Sequence, residues 1–521
     1  MANAPSEEYS GTRNLVVAAP GVIAQDNRQK GVEFIRPELA RRFGQYDQIS
    51  DCIEGDLAVK DRRTAYLPMP NAHDQSEENK ARYLGYITRA VFYNVAQVTL
   101  AGLIGQVFLV DPEVKVPTLL DAVLKDANGN GVPMNQLAQQ VEEAVLSKGR
   151  AGILIDFPKV EGGKVSLADQ QAGRVRPLVT NYDPENVINW RTTTRNGKII
   201  LSLVVLRERH ETNDDGFSAE FEIQYRVLRL VDGLYEQQIW RGKEGHYEIK
   251  ETVAPVDSRG QRLTEIPFTF VGAVDNSPSV DMPPLYALCA LNIAHYRNSA
   301  DYEESVFITG QATPVLTGLT QQWVDTVLKG TVQLGSRAAI PLPVGGAASL
   351  LQMGERSAGF EAMEHKEKQM VALGAKLVES KAVQRTATEA KQDKSAEDST
   401  LTTVTKNVSA AIRFALEWCS IFAGTTTVAT DANNDTAIVY NLNTDFDISA
   451  MSPEEVKLYI EAWQKDALTF GEMRTGLRRA GLATEDDKKA EAAIMAKREA
   501  DAQFEEAHAP EGGAFGGGAA A

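Results

Sequence analysis

The segment Asp126-Ala127-Asn128-Gly129-Asn130-Gly131 has the D-x-N-x-N-G spacing with which the first half of a calcium loop presents oxygen ligands. The twelfth position of such a loop supplies a bidentate carboxylate, and here it is Leu137. A hard cation would lack its strongest contact, so the segment reads as a glycine-rich turn. His365 stands in Glu-His-Lys-Glu-Lys rather than H-E-x-x-H, and the histidines do not cluster at zinc-ligand spacing. No G-x-x-x-x-G-K-[ST] phosphate cradle occurs, which excludes a Walker-type ATP motor, and no G-x-S-x-G nucleophile elbow occurs either. Glu303 and Glu304 are adjacent and point to different sides of a helix. An acid/base pair assembled from distant segments is the catalytic arrangement the sequence leaves open. No cofactor or metal is expected.

The elements that hold these residues come from an ordinary globular composition, 43% apolar and 24% charged, which supports real cores and excludes global disorder. Its 521 residues suggest about three domains at ~150 residues each. The formal net charge is -17, whereas a protein that grips nucleic acid by its phosphates needs a basic surface. Contact with DNA is therefore expected to be weak and non-specific. Cys52, Cys289 and Cys419 lie far apart within helical patterns, as free buried thiols of a reducing compartment do. The amino terminus lacks a signal core, and the most apolar stretch, Val91 to Val110, is interrupted by Asn94, Gln97 and two glycines, so no membrane span is read.

Along the chain, residues 1–30 read as a flexible arm, and Glu33 to Ile53 is helical, with Phe34, Leu39, Phe43, Tyr46 and Ile49 near one face. Glu77 to Leu103 reads as one long helix. Pro133 to Lys148 is another, with proline in its first turn and Gly149 just past its end, followed by a strand at Ala151 to Asp156. From Leu178 to Phe270 short runs rich in branched and aromatic residues alternate with turns, which predicts a sheet. Leu319 to Gly330 is a short helix and Phe360 to Glu379 a longer one. Thr386 and Glu389 form a capping box. The helix it opens carries Leu401, Val404, Val408, Ile412, Ala415, Leu416, Cys419 and Phe422 on one face. Ala437 to Leu442 is a strand, Ser452-Pro453-Glu454-Glu455 starts a helix through Leu468, Glu485 to Ala507 is a charged helix, and the Gly/Ala tail is disordered.

The stretch from Leu285 to Gly318 organises the rest. No Gly or Pro interrupts its helical pattern between Pro284 and Gly310, yet its stripe of Leu285, Leu288, Asn292, Tyr296 and Ser299 is only half apolar. Such a helix is expected to pack against something polar or to line a wet space. The residues NIAHYRNSADYEESVF followed by GQATPVLTGL resemble a stretch of the portal proteins of tailed bacteriophages, and TATEAKQDKSAEDSTL at 386–401 is similar to the start of a long helix in many portals.

The resemblance spans roughly Glu33 to Arg498 and implies an α+β, portal-like fold. After the arm at 1–30 come an α+β wing at 31–282, a first stem helix at 283–306 and a clip at 307–355. A second stem helix at 356–380, a tunnel loop at 381–385 and a long helix with its following strand at 386–450 follow. A helical crown at 451–508 and the tail at 509–521 complete it. It implies Arg297, Asp301 and Glu304 on the channel-lining helix, and Lys381, Gln384 and Arg385 in a loop facing DNA. The implied protein is no enzyme but a virion component, assembled in the host cytoplasm as a ring of about twelve copies at one capsid vertex. Its implied partners are terminase, scaffold and major capsid protein, a head-completion or tail adaptor, and double-stranded DNA passing through. Another ring-forming structural adaptor, or a soluble hydrolytic enzyme, is the alternative that helical texture and acidity leave standing.

Overall fold

The computed structural model describes residues 31–157, 175–310, 313–329, 340–351, 357–378, 399–422 and 438–444, and pieces of 446–496, with residues 215 and 258 excepted. The chain divides into two units, Met1–Thr444 and Asp445–Ala521. The arm at 1–30, the capping box at 386–389, the tunnel loop and the tail lie outside the described residues.

The first unit is mixed α and β with open sheets. Its helices begin with α1 (Phe43–Glu54), α2 (Glu77–Arg89) and α3 (Val95–Val107), and β1 (Glu113–Lys115) precedes α4 (Met134–Lys148). The expected single helix from Glu77 to Leu103 is two, broken at residues 90–94. Neither Gly nor Pro marks the break; the signal is Asn94, whose side-chain oxygen accepts from Gln97 N–H and caps α3. Ser76 caps α2 the same way through Asn79 N–H. The expected helix from Glu33 to Ile53 is also divided, into a short turn at Gly31–Glu33, Pro37–Ala40 and α1, with Leu39, Tyr46 and Ile49 buried.

The chain leaves α4 through Gly149 at φ +78°, a left-handed cap that turns it into β2 (Arg150–Asp156). β2 is the middle strand of a three-stranded antiparallel sheet, between β3 (Leu178–Tyr182) and β9 (Phe268–Gly272). Within the intervening span a meander of β4 (Val187–Arg195), β5 (Lys198–Asp214), β6 (Ala219–Val231), β7 (Leu234–Lys243) and β8 (His246–Val253) forms a five-stranded antiparallel sheet. Asn196-Gly197 and Asp232-Gly233 turn its first and third hairpins at positive φ, as their turn chemistry predicts. Ile188, Val205, Tyr225 and Val227 are buried on one face of this sheet under Val32 and Ile35.

Then follow α5 (Tyr286–Thr309), β10 (Thr313–Thr317), β11 (Ala347–Leu351), α6 (Ser357–Val378), α7 (Thr400–Phe422) and β12 (Val439–Asn441), which pairs with β1. All eight apolar residues expected on one face of α7 are buried. Among the described residues that helix runs from Thr400, where Ser399 Oγ accepts from Thr402 N–H. The three cysteines are free and buried. In the second unit the described elements include α8 (Phe470–Arg479), with the Trp463 ring 6.1 Å from Phe470. Most of the expected helix after Pro453 lies outside the described residues.

Arg150 opens β2 fully buried, its guanidinium sandwiched between the rings of Trp190 at 4.0 Å and Phe270 at 3.8 Å. Burial pulls its pKa down to about 9, and none of its three side-chain nitrogens has a hydrogen-bond partner. The two aromatic faces are its compensation.

Candidate functional site

α5 is the hub of the first unit. It packs on α1, α2, α3 and α6, and Leu288, Cys289, Asn292, Ile293, His295, Tyr296, Ser299 and Ala300 are buried. Of the two sequence expectations for these positions, a polar neighbour or a wet space, the first is what the structure shows. A helix covered on several sides has no single apolar stripe, and its polar residues meet polar groups of its own subunit. Asn292 Oδ1 accepts from Ala96 N–H at 3.2 Å and its Nδ2 donates to Tyr93 C=O at 2.7 Å, while Ser299 Oγ accepts from Val91 N–H at 2.9 Å. These are the backbone groups that the break between α2 and α3 leaves without helical partners. The half-polar stripe of α5 is the template on which that break is built.

Beyond Ala300 α5 changes character. Asp301 Oδ1 accepts from Tyr86 O–H at 2.6 Å, and burial, then this bond, raises the Tyr86 pKa. Glu304 is clasped by Arg89 and by Arg82, the latter at 3.3 Å. Arg297 Nε donates to Tyr66 C=O at 2.6 Å. Of the three residues expected on a channel-lining helix, Arg297 and Asp301 are exposed, Glu304 is half-buried, and each is held by its own subunit. Arg82 and Arg89 were not singled out in the sequence; their seven-residue spacing along α2, which repeats every two turns, was the available signal. Lys381, Gln384 and Arg385 lie outside the described residues.

α6 runs antiparallel to α5. Lys366 Nζ donates to Ala294 C=O and His295 Nε2 lies 3.3 Å from Glu367 Oε1, while further along α5 the Tyr302 ring meets Phe360 at 6.2 Å. Burial lowers the His295 pKa, opposed by Glu367. Between the two helices β10 and β11 pair antiparallel, Thr313 opposite Leu351 and Thr317 opposite Ala347. Gly318 turns out of β10 at φ +76°, its position backed against Gly345. This end of the structure gathers exposed apolar side chains: Val306, Phe307 and Ile308 in the last turn of α5, Val315 on β10, Val327 and Val344 between the strands, and Phe360 on α6. Arg89 lies 4.1 Å over the Phe307 ring.

Among the described residues no group of three or more His, Cys, Asp or Glu is placed to hold a metal ion. Asp126 Oδ1 accepts from Gly129 and Gly131 N–H and its other oxygen meets Arg176 at 2.5 Å, so this carboxylate organises a turn. No described helix is long and apolar enough to cross a membrane.

Residues 284–423, a minority of the chain that contains both helices and the hairpin, match a family described as Domain of unknown function (DUF4055). No curated protein sequence matches. Among solved structures, the chain is similar to a chain of "Virion of native gene transfer agent (GTA) particle", at 13% identity and TM-score 0.39, over 76% of this chain and 92% of that one. It is also similar to a chain of "Neck of empty GTA particle computed with C6 symmetry", at 12% identity and TM-score 0.37, over 76% of this chain and 91% of that one.

Proposed function

We propose that this chain is the subunit of a portal-type ring, the channel through which DNA enters and leaves the capsid of a tailed-phage-like particle. The observation that carries the reading is the antiparallel pair α5 and α6, joined through the β10–β11 hairpin and crowded at that end with exposed apolar side chains. The resemblance of 291–319 and 386–401 to portal sequences falls on this same part of the chain. A closed ring is heterologous, so each subunit presents two different patches to its neighbours. The apolar group at the hairpin end is one such patch. In this reading α5 and α6 are the stem, β10 and β11 belong to the clip, and the five-stranded sheet belongs to the wing. Arg297, Asp301 and Glu304 sit on the channel-lining helix, braced from within the subunit, and Lys381, Gln384 and Arg385 form a loop toward DNA. The net charge of -17 suits a wall along which phosphates slide without being gripped. Terminase, capsid and scaffold proteins, and a head-completion or tail adaptor are the partners.

Electron microscopy of the purified protein tests the reading. The expected result is a closed ring with a central channel walled by α5 and α6. Monomer alone at micromolar concentration across several salt conditions overturns it, and a ring walled by other elements identifies a different structural adaptor.

A further inference from the structure

Phe221, Ile223, Tyr225 and Val227 alternate along β6 and share one face of the five-stranded sheet, which Ile249 of β8 joins opposite Trp240. The middle of this face is covered, because Val32 and Ile35 pack against Tyr225, Val227 and their neighbours. Its margin is open: Phe221 is 51%, Ile223 39% and Ile249 47% exposed. The cover ends at the boundary between the two parts. Ile223 stands one residue beyond Gln224, the last residue of β6 to pair with β7, and in the β7–β8 turn Gly245 N–H donates to Glu33 Oε2 at 3.0 Å. The described chain begins two residues before Glu33, at Gly31.

The residues ahead of Gly31 include an uncharged apolar run, Leu15-Val16-Val17-Ala18-Ala19-Pro20-Gly21-Val22-Ile23-Ala24. Ile23 precedes Gly31 by eight residues, a reach of up to about 27 Å at ~3.4 Å per residue, whereas Ile223 and Phe221 are one two-residue step apart on their strand. The run can therefore meet the open margin with slack. Charge agrees where the run is tethered. Arg28 and Lys30 lead into Gly31, and the Tyr247 phenol, raised first by burial, also feels the carboxylates of Glu33, Glu244 and Glu222 gathered there. Farther out the Arg209 guanidinium lies 4.7 Å over the Phe221 ring and Glu211 stands opposite Phe221 on β5. Both signs are present at that end, so apolar contact rather than charge decides what lies on it.

We propose that the apolar run Leu15–Ala24 of the same chain covers the open margin formed by Phe221, Ile223 and Ile249, extending the contact that Val32 and Ile35 begin. Val16, Val17, Val22 and Ile23 supply branched side chains of the kind that fit a pleated surface. A segment tethered by so few residues meets its site at an effective concentration on the order of millimolar, which a separate partner seldom reaches. Modest apolar contact is then enough to hold it. The proposal does not depend on the ring reading, and its failure leaves that reading untouched.

The probe is a photo-crosslinking benzophenone analogue of phenylalanine placed at the position of Phe221 in the full chain. Trypsin frees Asn14–Arg28, which contains the run, as one peptide for mass spectrometry. The expected result is a crosslink to that peptide within the monomer band of a denaturing gel, its yield lowered about tenfold or more by Val16→Asp with Ile23→Asp. The yield should fall comparably when the analogue is moved to the position of Glu220, which faces the other side of the sheet. A probe at the position of Ile249, expected to reach the same peptide, keeps the test open where the first placement disturbs β6. No crosslink to Asn14–Arg28, equal yields from the two faces, or indifference to the aspartates overturns the proposal. A crosslink found in the dimer band instead assigns the margin to a second copy of the chain, and overturns it too.

Discussion

Replacing Glu142 by glutamine should stabilise the protein by an amount that grows with pH. Glu142 lies on α4, fully buried against α7, and burial raises its pKa to about 8, opposed by the Thr405 hydroxyl. Thr405 Oγ1 lies 2.9 Å from Glu142 Oε1 and 2.8 Å from Leu401 C=O, and one hydroxyl hydrogen cannot serve both. A protonated Glu142 supplies the missing hydrogen, and a glutamine amide would do the same. A carboxyl whose folded pKa is raised contributes most below its unfolded pKa, near 4.5, and that contribution is lost as pH rises toward the folded value. Over the interval from 4.5 to neutral pH the loss is about 3 kcal/mol, at ~1.36 kcal/mol per unit. Other titrating groups cancel in the comparison of the two proteins. Urea midpoints at matched protein concentration between pH 5 and 9 should show the Glu142→Gln variant gaining on the parent up to about pH 8 and holding level above it. A stability difference that does not change with pH would refute the reasoning.

Asn292→Ala should cost about 1–3 kcal/mol, since it strands the buried Ala96 N–H and removes one of the two hydrogen bonds to Tyr93 C=O at the α2–α3 break; a denaturant midpoint unchanged from the parent would contradict the template role of α5. Gly149→Ala should cost about 1–3 kcal/mol, because φ is +78° there and the new Cβ would meet Met282 C=O at 2.9 Å; thermal unfolding reads this. DNA binding should be weak, indifferent to sequence and steeply lowered by salt, and a nanomolar sequence-selective complex at physiological salt would oppose it. Lys381→Gln with Arg385→Gln should leave self-assembly intact and reduce DNA packaging or retention; unchanged packaging would remove the loop from the function.

The apolar spacing of α7 was readable because that helix has one covered face, and 3.6-residue periodicity records one face well. The Pro133 and Gly149 signals were readable because a first-turn proline and a left-handed cap are local chemistry. For the opposite reason the partners of α5 were not readable. Covered by several helices, it shows no dominant period, and its Asn292 and Ser299 answer backbone groups some two hundred residues away. No window of sequence displays such a partner. The α2–α3 break carries one local signal, the Asn94 cap, while the contacts from α5 that stabilise it are tertiary. Arg82 and Arg89 carry the clasp on Glu304 across the same separation, while Arg150 reads in sequence as an ordinary charge at a strand end.

The uneven burial of α5 makes it a clamped lever. Its first half is gripped by neighbouring helices through Ala300, and its last turn carries Val306, Phe307 and Ile308 in the open. A hydrogen-bonded helix is stiff along its length, so a push at the β10–β11 end is delivered to the clamp rather than absorbed along the way. The fulcrum is Glu304 with Arg82 and Arg89, and the first structure loaded behind it is the non-helical turn at residues 90–94. A displacement of the last turn would load the Glu304 clasp first and, through Ser299, the Val91 backbone at the bend between α2 and α3.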